Sequence, residues 1–183
     1  MRKRTLLAAG SVLAAAAGLF AGTGSAGATT TSPVVGHTYV NDNAAGPNTI
    51  AGFDRHANGS LTPIPGSPFA IGGAGLGAGL GSQGAIQASP DHRFLLAVDA
   101  GSNQISVLRV NPNGVPTPVG SPVSSRGVKP VSIAINRFGL VYVANVGNGG
   151  SNYSGFLLSS QGRLIPLPYT TVAVPEGSGR VSS

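Results

Sequence analysis

Three stretches of the chain share one grammar. Residues 38–68 read TYVNDNAAGPNTIAGFDRHANGSLTPIPGSP, residues 95–122 read LLAVDAGSNQISVLRVNPNGVPTPVGSP, and residues 141–168 read VYVANVGNGGSNYSGFLLSSQGRLIPLP. In each, an apolar run ends in Asn or Asp, at Asn41, Asp99 and Asn145. A polar, Gly-rich turn and a second strand-like run follow, over residues 49–53, 104–110 and 153–158. A tight turn comes next, at Asn58-Gly59, Asn113-Gly114 and Gln161-Gly162, and a Pro-containing segment closes the unit. Gly, Asn and Asp tolerate the positive φ that tight hairpins require, so these residues specify a meander of hairpins. Two units carry a further strand in front. Val131, Ile133 and Ile135 alternate with Ser132 and Ala134, and residues 85–88 hold the matching place one unit earlier.

Asp99 and Asn145 are 46 residues apart, and Asn41 and Asp99 are 58 apart, with the excess in a Gly-rich insert before Gly84. About four short strands in each repeat of roughly 40–50 residues is the pattern of a propeller blade. The runs 94–98 and 140–144 are continuously apolar, as expected of inner strands covered on both faces by neighbouring blades. The expected fold class is therefore all-β, a partial β-propeller of about three four-stranded blades. An antiparallel sandwich is the competing architecture, but it would not need the repeat. Composition agrees: 29 Gly and 14 Pro oppose long helices, and 41% hydrophobic against 9% charged residues favours folding over disorder.

The first 28 residues read as a secretory signal peptide. Arg2, Lys3 and Arg4 form a basic n-region, an apolar Ala/Leu-rich stretch follows over 6–20, and Ala26-Gly27-Ala28 offers the cleavage site. The stretch is short for a membrane span, which needs about 20 apolar residues. The expected organisation is signal peptide 1–28, linker 29–35, blade repeats 36–168 and irregular tail 169–183. The mature chain would be secreted, without a stable membrane anchor. Of the 11 Lys and Arg, three lie in the n-region, leaving eight against five Asp and Glu. The eight are scattered singly and form no basic stripe, which argues against a nucleic-acid partner. The absence of cysteine excludes disulfides and thiolate chemistry.

Residues 79–84, GLGSQG, fit the dinucleotide-binding spacing G-x-G-x-x-G. That motif works only between a strand and a helix, whose N-terminus receives the phosphate. Here no strand-like run precedes it, and Pro90 stops any helix after it. No nucleotide and no other cofactor is expected. The three histidines, His37, His56 and His92, are dispersed, so no metal site is expected; His37 and His56 read as surface residues, and Asp91 and His92 as a turn between strands. Asn41, Asp99 and Asn145 read first as turn residues bonding local backbone.

The segment SPDHRFLLAVDAGSNQISVLRVNPNG, together with VYVAN at 141–145, resembles the seven-bladed propellers of the bacterial lactonase family, which includes 6-phosphogluconolactonase and carboxymuconate cyclase relatives. The resemblance covers residues 36–168, with material for about three blades, and implies a truncated product or fragment. It implies hydrolysis of a sugar-type or muconate-type lactone by general-base-assisted attack of water. Lys129 and the polar groups near Gln83 would then face the channel, with Asp99 as the base. It also implies a His just before the strand that precedes the S-P-D turn; Gly84 holds that place here, which weighs against activity. A basic residue expected one repeat later is replaced by Pro130, with Lys129 beside it. The alternative is a non-catalytic extracellular binding or scaffold propeller, or an inactive fragment.

Overall fold

A computed structural model describes residues 32–147 and 151–175. The signal peptide, the first residues of the linker and the end of the tail lie outside the described residues. Among the described residues fourteen strands form three antiparallel sheets. The first contains β1 (Val34–Asn41), β2 (Gly46–His56), β3 (Leu61–Pro63) and β4 (Phe69–Gly75). The second contains β5 (Ile86–Ala88), β6 (Phe94–Asp99), β7 (Gln104–Val110), β8 (Pro116–Pro118) and β9 (Val123–Ser124). The third contains β10 (Pro130–Ile135), β11 (Leu140–Asn145), β12 (Asn152–Leu158), β13 (Leu164–Pro166) and β14 (Val172–Ala173).

Each sheet repeats one plan. One strand (β2, β7 or β12) pairs along one edge with two further strands, one at each end, so the outer position of every blade is a single strand interrupted by a turn. The second and third sheets thus have four strand positions, led by β5 and β10. Among the described residues the first sheet has three. The chain is the partial all-β propeller expected from its repeats, with the repeat continuing through β14 into the segment read as irregular tail.

The runs 94–98 and 140–144 belong to β6 and β11, the second position of each blade, and not the innermost, which β5 and β10 occupy. The reason for their apolar character stands for β6, buried at every residue because sheets cover both of its faces. Phe94, Leu96, Val98, Ile105 and Val107 pack on Ile133, Val141, Val143, Phe156 and Leu164 of the third sheet. Leu95, Ala97 and Leu108 pack on Ile50 and Ile71 of the first. In β11 Tyr142 is exposed between buried Val141 and Val143, although Ala144 on the same face is buried.

The facing of these residues corrects the repeat register at its first turn. Ile50 faces the second sheet as Ile105 faces the third, and Asp42 N donates to Thr49 O across the first hairpin where Asp99 pairs with Gln104 in the second. The counterpart of Asp99 is therefore Asp42, one residue beyond Asn41. A one-residue shift sends a strand side chain to the other face, so the distinction decides which group meets solvent.

The first two sheets are also joined by Tyr39, whose hydroxyl donates to Gly114 O at 2.6 Å. Burial, helped by the nearby Asp54 carboxylate, pushes the phenol up to about 12, so it stays a donor across the ordinary pH range. Tyr39→Phe is expected to cost about 1 kcal/mol in urea unfolding, the usual net worth of one hydrogen bond.

Candidate functional site

The hairpin turns β1–β2 and β6–β7 and the residues that directly follow β11 lie with the connections that follow β4 and β9 at one end of the sheets. Two clefts open there. The larger, about 640 Å³, draws on all three sheets: Leu76 follows β4, Ala100 and Asn103 lie in the β6–β7 turn, Lys129 precedes β10, and Val146 follows β11. Asn103 fixes its floor, its Oδ1 accepting the Lys129 backbone N–H at 2.7 Å. The Lys129 carbonyl accepts from Val146 N at 3.0 Å, and Lys129 itself adopts a left-handed φ of 55°. Its backbone is thus clamped between two sheets, while its ammonium has no ion-pair partner among the described residues.

The second cleft, about 420 Å³, is lined by Asn41, Asp42 and Asn43 on one side and by Gly79, Leu80 and Ser82 of the Gly-rich segment on the other. Asn43 holds that segment in place: its Nδ2 donates to Ala78 O at 2.5 Å, and its Oδ1 accepts from Leu76 N at 3.0 Å. After residues 79–84 the chain passes directly into β5, so the segment opens no helix and forms one wall of a cleft. Asp42 is exposed here, held by the Thr49 hydroxyl at 2.7 Å.

The three residues implied by the lactonase resemblance are not gathered. Lys129 lines the larger cleft. Gln83 is exposed in the turn beside the smaller one. Asp99 is fully buried between the first and second sheets. Its carboxyl accepts from Asn48 Nδ2 at 3.0 Å and lies 2.6 Å from the Ser106 hydroxyl. No cation neutralises it among the described residues, and burial raises its pKa against the lowering by those hydrogen bonds. The side chains of Asp99 and Asn145, expected to serve local turns, do not bond the local backbone: Asp99 reaches back to Asn48 of the preceding sheet, and Asn145 Nδ2 donates to Asn152 Oδ1 across its own hairpin at 2.9 Å and to Ser125 O of the preceding sheet at 3.3 Å.

Gly84, at the place where the resemblance implies a His, is buried at the junction of the two inner strands. Its carbonyl accepts from Ile133 N at 2.9 Å, and a Cβ there would collide with the Ser132 Oγ. A side chain here would require Ser132 to move, so Gly84 reads as a packing residue.

What the sequence did not reveal is Asp42 as a solvent-facing carboxylate at this end, although aligning V-N-D with A-V-D would have exposed it. Among the described residues no group of three or more His, Cys, Asp or Glu could hold a metal ion, and no helix is long and apolar enough to cross a membrane.

No protein-family model matches the chain, and no curated protein matches it. Solved structures do. A candidate 6-phosphogluconolactonase from Bacteroides fragilis NCTC 9343 aligns with a TM-score of 0.59 at 21% identity, over 80% of this chain and 37% of the other. A second candidate 6-phosphogluconolactonase, from Bacteroides uniformis ATCC 8492, aligns with a TM-score of 0.54 at 15% identity, over 75% and 42%. A protein from Lactobacillus plantarum gives a TM-score of 0.54 at 23% identity, over 73% and 37%. The chain thus spans well under half the length of these structures. At such identities the likeness establishes the propeller fold and leaves the chemistry to the residues.

Proposed function

We propose that this chain is a blade segment of a lactonase-like propeller that binds and opens a small lactone at the end carrying Lys129. The observation that carries the reading is the shared fold with two candidate 6-phosphogluconolactonases. The Lys129 ammonium, without an ion-pair partner among the described residues, supports it, as does the secretory layout of the N-terminus for an extracellular setting. An ammonium of this kind stabilises the charge that develops on a carbonyl oxygen when water attacks. In that step water oxygen bonds to the acyl carbon, the ring C–O bond breaks, and the released ring oxygen takes up the proton. Asp42 is the solvent-facing carboxylate at this end and is the candidate base in place of buried Asp99.

A second reading is favoured by a specific observation. The residues lining the Lys129 cleft include a cation but no carboxylate or imidazole, which suits holding an anionic ligand without turning it over. The two are separated by assaying the purified protein on 6-phosphogluconolactone, gluconolactone and a muconolactone. Hydrolysis is expected, with Lys129→Ala lowering kcat/KM about tenfold, the loss of roughly 1.4 kcal/mol of charge stabilisation, and Asp42→Asn lowering kcat. No turnover of any lactone would overturn the enzymatic reading and leave the binding one.

A further inference from the structure

The third sheet presents an apolar face on the side away from the second. Strand register places Tyr142, Tyr153, Leu157, Ile165 and Val172 there, through the pairs Leu140 with Leu157, Ala144 with Tyr153, Leu157 with Ile165 and Tyr153 with Val172. The five named first are between 39% and 60% exposed, and none of the residues so paired is charged. Scattered apolar residues are ordinary on a protein surface, but five gathered on one sheet face mark a contact surface.

The repeat defines what fits this surface. The hairpins β6–β7 and β11–β12 match position for position, from Phe94 with Arg109 against Leu140 with Leu157 to Asp99 with Gln104 against Asn145 with Asn152. Tyr142, Ala144 and Tyr153 thus hold the places of Leu96, Val98 and Ile105. In the second sheet those three are buried in one cluster with Val141, Val143 and Phe156 of the third.

The first sheet carries a face of the kind that Val141, Val143 and Phe156 form. With Asp42 in the place of Asp99, the pairs Thr38 with Phe53 and Val40 with Ala51 correspond to Val141 with Phe156 and Val143 with Ser154. Phe and Val recur at the matching places, with Val40 half exposed and Phe53 partly so. The intervening residues turn the other way: Tyr39 and Ile50 pack on the second sheet, and His37 faces Gly114 while it contacts Asp54 at 2.9 Å. The guanidinium of Arg55 lies over Gly36, one pair beyond the apolar patch. Both halves of one blade-to-blade contact are therefore exposed on a single chain, so the partner that matches the surface is the chain itself.

We propose that the third sheet of one chain packs on the first sheet of a second copy and continues the blade stack from chain to chain. Tyr142 and Tyr153 then meet Val40 and Phe53 as Leu96 and Ile105 meet Val143 and Phe156. Such a contact joins unlike faces, so it repeats until the copies close a ring or extend as a filament. It does not rest on the lactone reading and bears on it at one point. Asp42 holds the place of buried Asp99, so the contact covers its carboxylate, and only a chain with a free first sheet offers it as a base.

Sedimentation velocity of the purified chain from about 1 to 100 μM is the test, with association expected at a Kd of about micromolar or below. Tyr142→Lys and Val40→Lys each put a charge on one of the two faces. Both sites are exposed, so each variant is expected to keep the wild-type urea midpoint. Each alone is expected to stay monomeric, a weakening of at least about 100-fold from an unpaired charge in the contact. Mixed in equal amounts, they should form a heterodimer and nothing larger, because one variant keeps its first sheet intact and the other its third. Tyr153→Lys and Thr38→Lys, at neighbouring places on the same two faces, are expected to behave alike. A wild-type chain that is monomeric at the top of the range would overturn the proposal. So would association that survives Val40→Lys and Thr38→Lys, the sign of two third sheets pairing with each other, or single variants that fail to combine on mixing.

Discussion

Asp99→Ala is expected to cost about 2–3 kcal/mol of folding stability, whereas Asp99→Asn is expected to make the protein more stable than wild type at neutral pH. The alanine variant leaves a void against Gly73, which packs directly on the carboxyl, and removes a partner from Asn48 and Ser106. The loss stays moderate because Asn48 Nδ2 keeps Val98 O at 3.1 Å and the Ser106 hydroxyl keeps Ile71 O at 2.8 Å. The asparagine case follows from counting protons. Ser106 has one hydroxyl hydrogen and two acceptors in reach, Ile71 O and the Asp99 carboxyl. If it donates to Ile71 O, the Asp99 oxygen beside it must be the donor, which a protonated acid or an amide can be and a carboxylate cannot. In the Asp99→Asn variant the new amide would give one N–H to Ser106 Oγ and accept from Asn48 through its carbonyl.

The pH dependence separates the two species. Burial raises the folded-state pKa of Asp99 above its unfolded value near 3.8. The folded state then holds a proton that the unfolded state has released. The contribution is complete below the ordinary carboxylate range and is lost as pH rises through the raised value. Wild type and Asp99→Asn should therefore match in urea midpoint at a pH of about 3.5 and diverge above it, the variant becoming the more stable. Parallel profiles, with Asp99→Asn the weaker throughout, would mean that Asp99 is ionised and well served where it sits. Asp91 runs the other way, held down to about 2 by the Ser89 hydroxyl and by Arg93. It is common to both proteins and cancels in the difference.

The repeat was legible because its punctuation is chemical. Gly59, Gly114 and Gly162 all adopt positive φ in equivalent turns, and the alternation of Val131, Ile133 and Ile135 marked an inner strand before any pairing was known. The first turn was not legible at single-residue level. Asn41, Asp42 and Asn43 are consecutive, all favour turns, and differ only in which face they present. That choice is made by the packing of Ile50 on the neighbouring sheet. The pairing of His37 with Asp54 was hidden for a related reason. Their contact depends on the register of β1 against β2, which carries an irregularity between Val34 and Gly36, so two residues 17 apart in sequence gave no local signal. The opposite burial of Asp42 and Asp99, equivalent by repeat, has a simple cause. The described chain supplies a sheet on the Asp99 side and none on the Asp42 side.

Gly84→His, the substitution that would place a His where lactonase-like relatives are implied to carry one, is expected to destabilise the chain by about 2–3 kcal/mol through overpacking. The cost is steric and does not come from the backbone, since Gly84 is absent from the residues with positive φ. Its Cβ would meet the Ser132 Oγ outright and would stand 3.2 Å from Ser132 Cβ and 3.3 Å from Ile133 N. Rotation of the serine hydroxyl removes the first clash but neither of the others. Ile133 N is committed to the Gly84 carbonyl, so the strands cannot part without breaking the bond that joins two blades at their inner edge. Ser132→Gly should relieve two of the three contacts. The double variant is therefore expected to recover more than half of the loss, with a coupling of at least about 1 kcal/mol in a double-mutant cycle read from urea unfolding. Additive losses would show that residue 84 tolerates a side chain by another route. Recovery would establish that the Ser132 side chain is what calls for glycine at residue 84, leaving Asp42 as the first candidate base to test.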